Sequence, residues 1–207
     1  MKNKCVIICA YNETSVKESV SVNDAYIICA DAGIELTNKE GITPDIIIGD
    51  FDSATEIPKG DNVIRLPKEK DDTDTLFCVK AAIEAGFKEI VICGGIGGRL
   101  DHTIANIQTL KYATNRGVKI CLTDGNNTVY YLAHATMTLP PKDGYKFSVF
   151  AYSPVCTGVS IKNALYELND APLYSDFPIG ASNEFKSGPA EISVEDGELL
   201  IIISKDN

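Results

Sequence analysis

Ile46-Ile47-Ile48-Gly49-Asp50-Phe51-Asp52-Ser53 decides how the chain is read. Three β-branched residues in a row suit a strand buried on both faces. Gly49 ends the run, and two aspartates follow, two positions apart. If extended backbone continues past Gly49, Asp50 and Asp52 point to the same side at the strand's C-terminal end. In open α/β sheets that edge is where ligands bind. Adjacent carboxylates repel unless a proton, a donor or a cation lies between them, and a hard divalent cation such as Mg²⁺ meets that need. The same residues also suit an ordinary polar turn, since Asp, Gly and Ser are turn formers. The rest of the chain has to decide between the two.

Upstream, residues 5–10 and 25–30 are continuous apolar runs, and the second runs into Asp31. Residues 14–21 suit one or two helical turns, and 34–40 a short helix with Gly41 just past its end. Downstream, 63–66 reads as a short strand. Lys70-Asp71-Asp72-Thr73-Asp74 reads as a helix start, because Asp or Thr can cap and acids favour the first turn. Leu76, Val79 and Ile83 follow at helical spacing. Residues 89–93 and 119–122 are further buried strands, with a helix between them carrying Ile104, Ile107 and Leu110 on one face. Strands alternating with helices predict an α/β domain with a mostly parallel, Rossmann-like sheet over residues 1–124. After Thr123-Asp124-Gly125 the pattern changes. Residues 128–134, 146–151, 158–162 and 190–194 read as short strands, and Asp196-Gly197 predicts a hairpin from 192–194 into 199–203. Residues 125–207 are therefore expected to form an all-β sandwich domain.

Composition narrows the function. A 44% apolar fraction in 207 residues is that of a globular protein. The net charge of −10 speaks against nucleic acid or an anionic membrane as partner, and suits a carboxylate-rich metal site or a cationic substrate. The seven cysteines are scattered, odd in number and without a C-x-x-C pair, so reduced buried thiols are expected. The N-terminal apolar run is too short for a signal segment, and none approaches membrane-spanning length. The chain reads as soluble and cytoplasmic.

Asp31, Asp50 and Asp52 fall at predicted strand ends, Asp101 just past a glycine loop, and Asp74 on a helix start. A parallel sheet gathers its strand ends along one edge, so as a set these acids point to a Mg²⁺–phosphate site. Gly94-Gly95-Ile96-Gly97-Gly98 can bring backbone N–H groups to an anion, although it fits neither a Walker A pattern nor G-x-G-x-x-G. Arg99 beside it can grip phosphate in two-pronged fashion. His102 is either a phosphate neighbour or a structural residue. With two histidines in the chain and no His/Cys cluster, zinc is not expected. Ser182-Asn183-Glu184-Phe185 reads as a polar loop.

Together these motifs resemble the thiamine pyrophosphokinase family. The match runs through Ala30-Asp31-Ala32-Gly33, Pro44-Asp45, Gly49-Asp50-Phe51-Asp52-Ser53, Lys70-Asp71-Asp72-Thr73-Asp74, and Gly94 to His102 with Asn106. Ser182-Asn183-Glu184 resembles the family's thiamine-side loop. The resemblance implies a homodimer with an α/β nucleotide domain and a β-sandwich domain, and thiamine bound near the subunit interface. It implies transfer of pyrophosphate from ATP to the thiamine hydroxyl. Asp31, Asp50, Asp52 and Asp74 would hold Mg²⁺, and Asp50, Asp52, Asp74, Arg99 and Asp101 would serve catalysis. Lys70, Asp71, Thr73, Gly95, Gly97, Gly98, Arg99 and His102 would meet ATP. Ser182, Asn183 and Phe185 would meet thiamine, with Phe185 or a tyrosine replacing the tryptophan that some relatives stack on it. A pyrophosphokinase for another heteroaromatic alcohol, such as a hydroxymethylpterin, and a non-catalytic nucleotide sensor are the alternatives.

Overall fold

The computed structural model describes residues 2–52 and 58–206, which leaves Ser53 outside. It divides into two compact units, residues 1–126 and 127–207.

In the first unit the strands are β1 (Lys4–Ile8), β2 (Ala25–Ala30), β3 (Ile46–Gly49), β4 (Val63–Arg65), β5 (Glu89–Cys93) and β6 (Lys119–Thr123). They lie in the order β4-β3-β2-β1-β5-β6, and every pairing among them is parallel. The continuous apolar runs explain this, because a sheet covered on both faces needs no polar alternation. Between the strands run α1 (Val16–Ser19), α2 (Gly33–Glu40), α3 (Asp74–Glu84) and α4 (Leu100–Thr114). Thr73 caps α3, its Oγ1 accepting the Leu76 N–H at 3.2 Å. Helix α4 buries Asn106, Thr109, Leu110 and Ala113, and Ile104 points out to solvent, half exposed. The expected stripe through Ile104 is thus rotated, and small polar residues take the inner face.

The cysteines are free and, except for partly exposed Cys121, buried. Burial pushes the thiols of Cys9 and Cys29 to about 11 and those of Cys5 and Cys93 to about 12. These are packing residues without thiolate chemistry at neutral pH.

The second unit is built of antiparallel strands. One group is β7 (Asn127–Ala133), β13 (Glu198–Lys205) and β9 (Tyr145–Ala151). The other, in order, is β11 (Leu168–Tyr174), β10 (Val155–Lys162), β12 (Ala190–Ser193) and β8 (Thr136–Leu139). One apolar cluster draws on both, with Phe147, Leu199 and Ile201 from the first group and Val159, Ile161 and Ile192 from the second. The Asp196-Gly197 signal is a correction. β12 pairs with β10 and β8, while β13 pairs with β7 and β9, so the turn carries the chain from one group to the other. Asp196 bridges to Thr157, and a Cβ on Gly197 would stand 2.8 Å from the Cys156 Cα. The glycine serves a close backbone crossing. β8 and β11 were not expected. β11 contains Asn169, Asp170 and Pro172, and its pairing with β10 shifts register twice.

Candidate active site

After β1 the chain lays β2, β3 and β4 on one side, then crosses back to set β5 and β6 on the other. The C-terminal ends of β1 and β5 are therefore neighbours at a topological switch point, where an open α/β sheet forms its crevice. A cavity of about 510 Å³ opens there. Tyr11 beyond β1, Asp31 beyond β2, the glycine loop beyond β5, and the starts of α3 and α4 line it.

The opening stretch does not run on extended. Phe51 adopts φ 59°, a left-handed conformation costly for a bulky residue, and its ring is buried with Cys29, Ile34 and Ile47. The turn is held from both sides. Phe51 N–H donates to Asp31 Oδ1 at 3.0 Å, and Asp52 N–H donates to Asp50 Oδ1 at 3.2 Å. Burial of the aromatic ring between the two acids overrides strand continuation, so Asp50 and Asp52 part company. The Asp50 side chain is only 10% exposed and ion-pairs with Lys70. The Asp52 side chain is 48% exposed, with Lys68 Nζ at 3.9 Å.

Lys70 is the centre of this arrangement. Its ammonium also stands 3.2 Å from Asp74 Oδ1, a buried oxygen that receives no directed hydrogen bond. Lys70 holds the Asp50 carboxyl below its ordinary range. Burial raises the Asp74 carboxyl in spite of Lys70. Burial raises Asp31 too, and the charges of Asp50 and Asp52 add to it.

A carboxyl whose folded pKa stands above its unfolded value binds its proton more tightly when folded. It therefore opposes folding as pH climbs past the unfolded value of 3.8. Asn at position 31 can still accept the Phe51 N–H. Asp31→Asn is accordingly expected to melt a few degrees above the unaltered chain at pH 7, with the gap closing towards pH 3.8. Thermal melts across that range check it; an Asp31→Asn melt below the parent's at neutral pH would contradict it.

Among the described residues no group of three or more His, Cys, Asp or Glu side chains is gathered closely enough to hold a metal ion. The donor chemistry nonetheless suits Mg²⁺: hard carboxylate oxygens, one of them buried without a hydrogen bond, around a position of positive charge that Lys70 now marks.

The glycine loop is also corrected in detail. Gly94 N–H donates to Thr123 O at 2.7 Å, Gly95 N–H to Tyr11 O at 2.6 Å, and Gly97 N–H to Thr103 Oγ1 at 3.1 Å. Those donors are engaged within the protein, so at these three positions the loop supplies shape and not an anion cradle. Asn106 ties it to α4, Nδ2 donating to Gly95 O at 2.9 Å. Arg99 is doubly bonded to Asp101, Nη2 to Oδ2 at 2.6 Å and Nε to Oδ1 at 3.2 Å, with both side chains exposed. Arg99 holds the Asp101 carboxyl low, which weakens it as a base. His102 and Thr73 line the cavity, as do Gly95, Gly97 and Gly98. Asp71 is exposed and does not line it. Asp72 does, ion-paired to Lys80 at 2.6 Å. Sequence reasoning missed Tyr11 and Lys68. The signal for Tyr11 was present, since it follows a strand end as Asp31 does.

In the second unit Ser182 has φ 59° and donates its N–H to Ser148 Oγ at 3.0 Å. Asn183 is buried, and its amide is engaged. Nδ2 donates to Tyr166 O at 2.7 Å, and Oδ1 accepts from Tyr166 N–H at 3.0 Å and Glu184 N–H at 2.9 Å. Phe185 packs on Phe147, ring centroids 5.0 Å apart, against the core. Neither side chain is presented as a free wall. What Asn183 fixes is the backbone of Tyr166, a residue that is 65% exposed.

Comparison with known proteins gives a match in each of the two units. The family model "Thiamin pyrophosphokinase, catalytic domain" matches residues 18–122, and "Thiamin pyrophosphokinase, vitamin B1 binding domain" matches 136–199. A thiamine pyrophosphokinase of Bacillus subtilis is 28% identical over 186 residues, 86% of this chain and 87% of its own. Thiamin pyrophosphokinase 1 of Caenorhabditis elegans is 24% identical over 204 residues, covering 89% of this chain and 84% of its own. The crystal structure of a Bacillus subtilis thiamine pyrophosphokinase superposes with a TM-score of 0.89 at 24% identity, over 99% of this chain and 100% of the other.

Proposed function

The chain belongs to the thiamine pyrophosphokinase family, and on that premise we propose that it transfers the pyrophosphoryl group of ATP to the hydroxyl of thiamine, releasing AMP. The two family models in tandem, one catalytic and one for vitamin B1, carry this reading. The cavity at the switch point takes ATP. Lys68 and Lys70, which line it with Asp72 and Asp74 at the start of α3, receive the phosphates together with the N-terminal turn of that helix. Asp50 and Asp74, with Asp31 and Asp52 close by in the chain's turns, are the residues to hold Mg²⁺. The ion supplies neutralisation of charge on the phosphate chain, while the protein's part is to position the hydroxyl in line with the β-phosphorus. Arg99 and His102 complete the nucleotide side. The net charge of −10 favours approach of the cationic thiazolium ring.

In the second unit, read as a β-sandwich, Ser182 and the loop held by Asn183 take thiamine. Tyr166 supplies the aromatic wall in a chain with no tryptophan. Tyr166→Ala is expected to raise KM for thiamine about tenfold with kcat little changed, the scale of one lost ring contact, and Tyr166→Trp to restore it. Equal KM in all three proteins would move the wall elsewhere. Leu165, Phe177 and Ile179 are exposed on the same unit and suit burial in a homodimer, which sedimentation checks.

The direct test is purified protein with ATP, Mg²⁺ and thiamine, measuring AMP and thiamine diphosphate. AMP release independent of thiamine would indicate hydrolysis, and turnover only with a pterin alcohol would overturn the substrate.

A further inference from the structure

Tyr11 is fixed at both ends. Its carbonyl accepts the Gly95 N–H at 2.6 Å, and its hydroxyl donates to Glu13 Oε2 at 3.0 Å. A Cβ on Gly94 would stand 2.3 Å from the Tyr11 carbonyl oxygen, so the loop is shaped to that backbone. The ring lies across the Gly97-Gly98 segment. A Cβ at Gly97 would meet Cε1 at 3.0 Å, and one at Gly98 would meet Cδ2 and Cγ at 3.6 and 3.7 Å. A side chain at Gly97 would crowd the ring, and one at Gly98 would touch it, yet 45% of the residue remains exposed, in the wall of the cavity. Among the described residues lining that cavity it brings the only phenyl-type ring. Lys68, Lys70 and the α3 terminus suit phosphate. Next to Tyr11 the loop's N–H groups at Gly95 and Gly97 are already bonded within the protein, so there the loop offers the ring and not amide donors to a ligand.

We propose that Tyr11 is the platform on which the heteroaromatic base of the nucleotide stacks. This deepens the reading of the cavity as an ATP site and rests on it. A ring held by its main chain and its hydroxyl gives up little freedom on stacking, and a base on an aromatic face is a sizeable, sequence-tolerant contact. The assignment makes Tyr11 a binding residue that sets affinity for the base, with no part in the transfer step.

The test compares ATP with inorganic tripolyphosphate, which carries the phosphates without the base, by calorimetric titration in the presence of Mg²⁺. Tyr11→Ala is expected to weaken ATP about tenfold while tripolyphosphate changes by less than about twofold, and Tyr11→Phe to keep ATP affinity within about threefold. Equal weakening of both ligands by Tyr11→Ala would mean that the ring only shapes the glycine loop, and would overturn the proposal. Unchanged ATP affinity, or a rise confined to the KM for thiamine, would overturn it too. The pattern of loss for ATP alone, in a protein that turns over no thiamine, would uphold the platform and remove the thiamine reading beneath it.

Discussion

Asp50→Asn is expected to lower turnover about a hundredfold or more and to leave the melting temperature within a few degrees of the parent. That is the scale for losing one charged contact to a reacting phosphate or its metal. The fold survives because Asn is isosteric and its Oδ1 can still accept the Asp52 N–H. What is lost is the charge that faces Lys70 in a nearly buried position, 10% exposed. Asp52→Asn should be milder, about tenfold or less, because its carboxylate is half exposed and its cation, Lys68, is 3.9 Å away. Initial rates and thermal melts on both variants check the ordering. An Asp50→Asn protein with parental turnover would take the turn out of the active site, and equal losses in the two variants would restore the side-by-side arrangement that the extended reading implied.

Gly49→Ala is expected to damage both stability and turnover. A Cβ there would stand 2.7 Å from the Asp31 Cα and 3.1 Å from the Asp31 N. The obstacle is backbone, and that backbone is pinned by the Asp31 N–H donating to Ile48 O at 2.8 Å. The β2–β3 pair must part locally, at a cost of about 2 kcal/mol, the scale of overpacking in a core. For a chain of this size that lowers the melting temperature by about 4–8 °C. Since the displaced group is Asp31, turnover should fall by more than the unfolded fraction explains, which activity measured well below the melt will show. A melt unchanged by the substitution would contradict the close approach.

The parallel sheet of the first unit was readable because its strands are unbroken apolar runs and its helices carry caps and terminal glycines. The positions of Asp31 and Asp50 were readable for the same reason, since they end those runs, and that of Asp74 from the capping residue Thr73 before it. What local sequence could not show was the competition inside short segments. Phe51 looks like a spacer between aspartates, and only the pocket formed by Cys29, Ile34 and Ile47 draws its ring inward and turns the backbone left-handed. Asp196-Gly197 carries a hairpin's local chemistry, but the partners of β12 and β13 are distant in sequence. β11 was hidden by residues with low strand propensity. At the candidate site, Asp71 and Asp72 cannot be told apart by composition. The cap at Thr73 fixes the helix phase, which sends Asp72 towards the cavity and Lys80 and leaves Asp71 in solvent.

β11 stands at the rim of its sheet, and its irregularity has a bearing on how the protein behaves when crowded. Pro172 brings no N–H, Asp170 has φ 48°, and the ladder to β10 slips register twice. A free strand needs an evenly spaced row of donors and acceptors to dock on, and this rim does not offer one. Newly made chains meeting at high concentration are thereby discouraged from templating one another into fibrils through this edge. Replacing Pro172 and Asp170 by valine would straighten the rim and bring aggregation on heating forward, even if each folded molecule became no less stable.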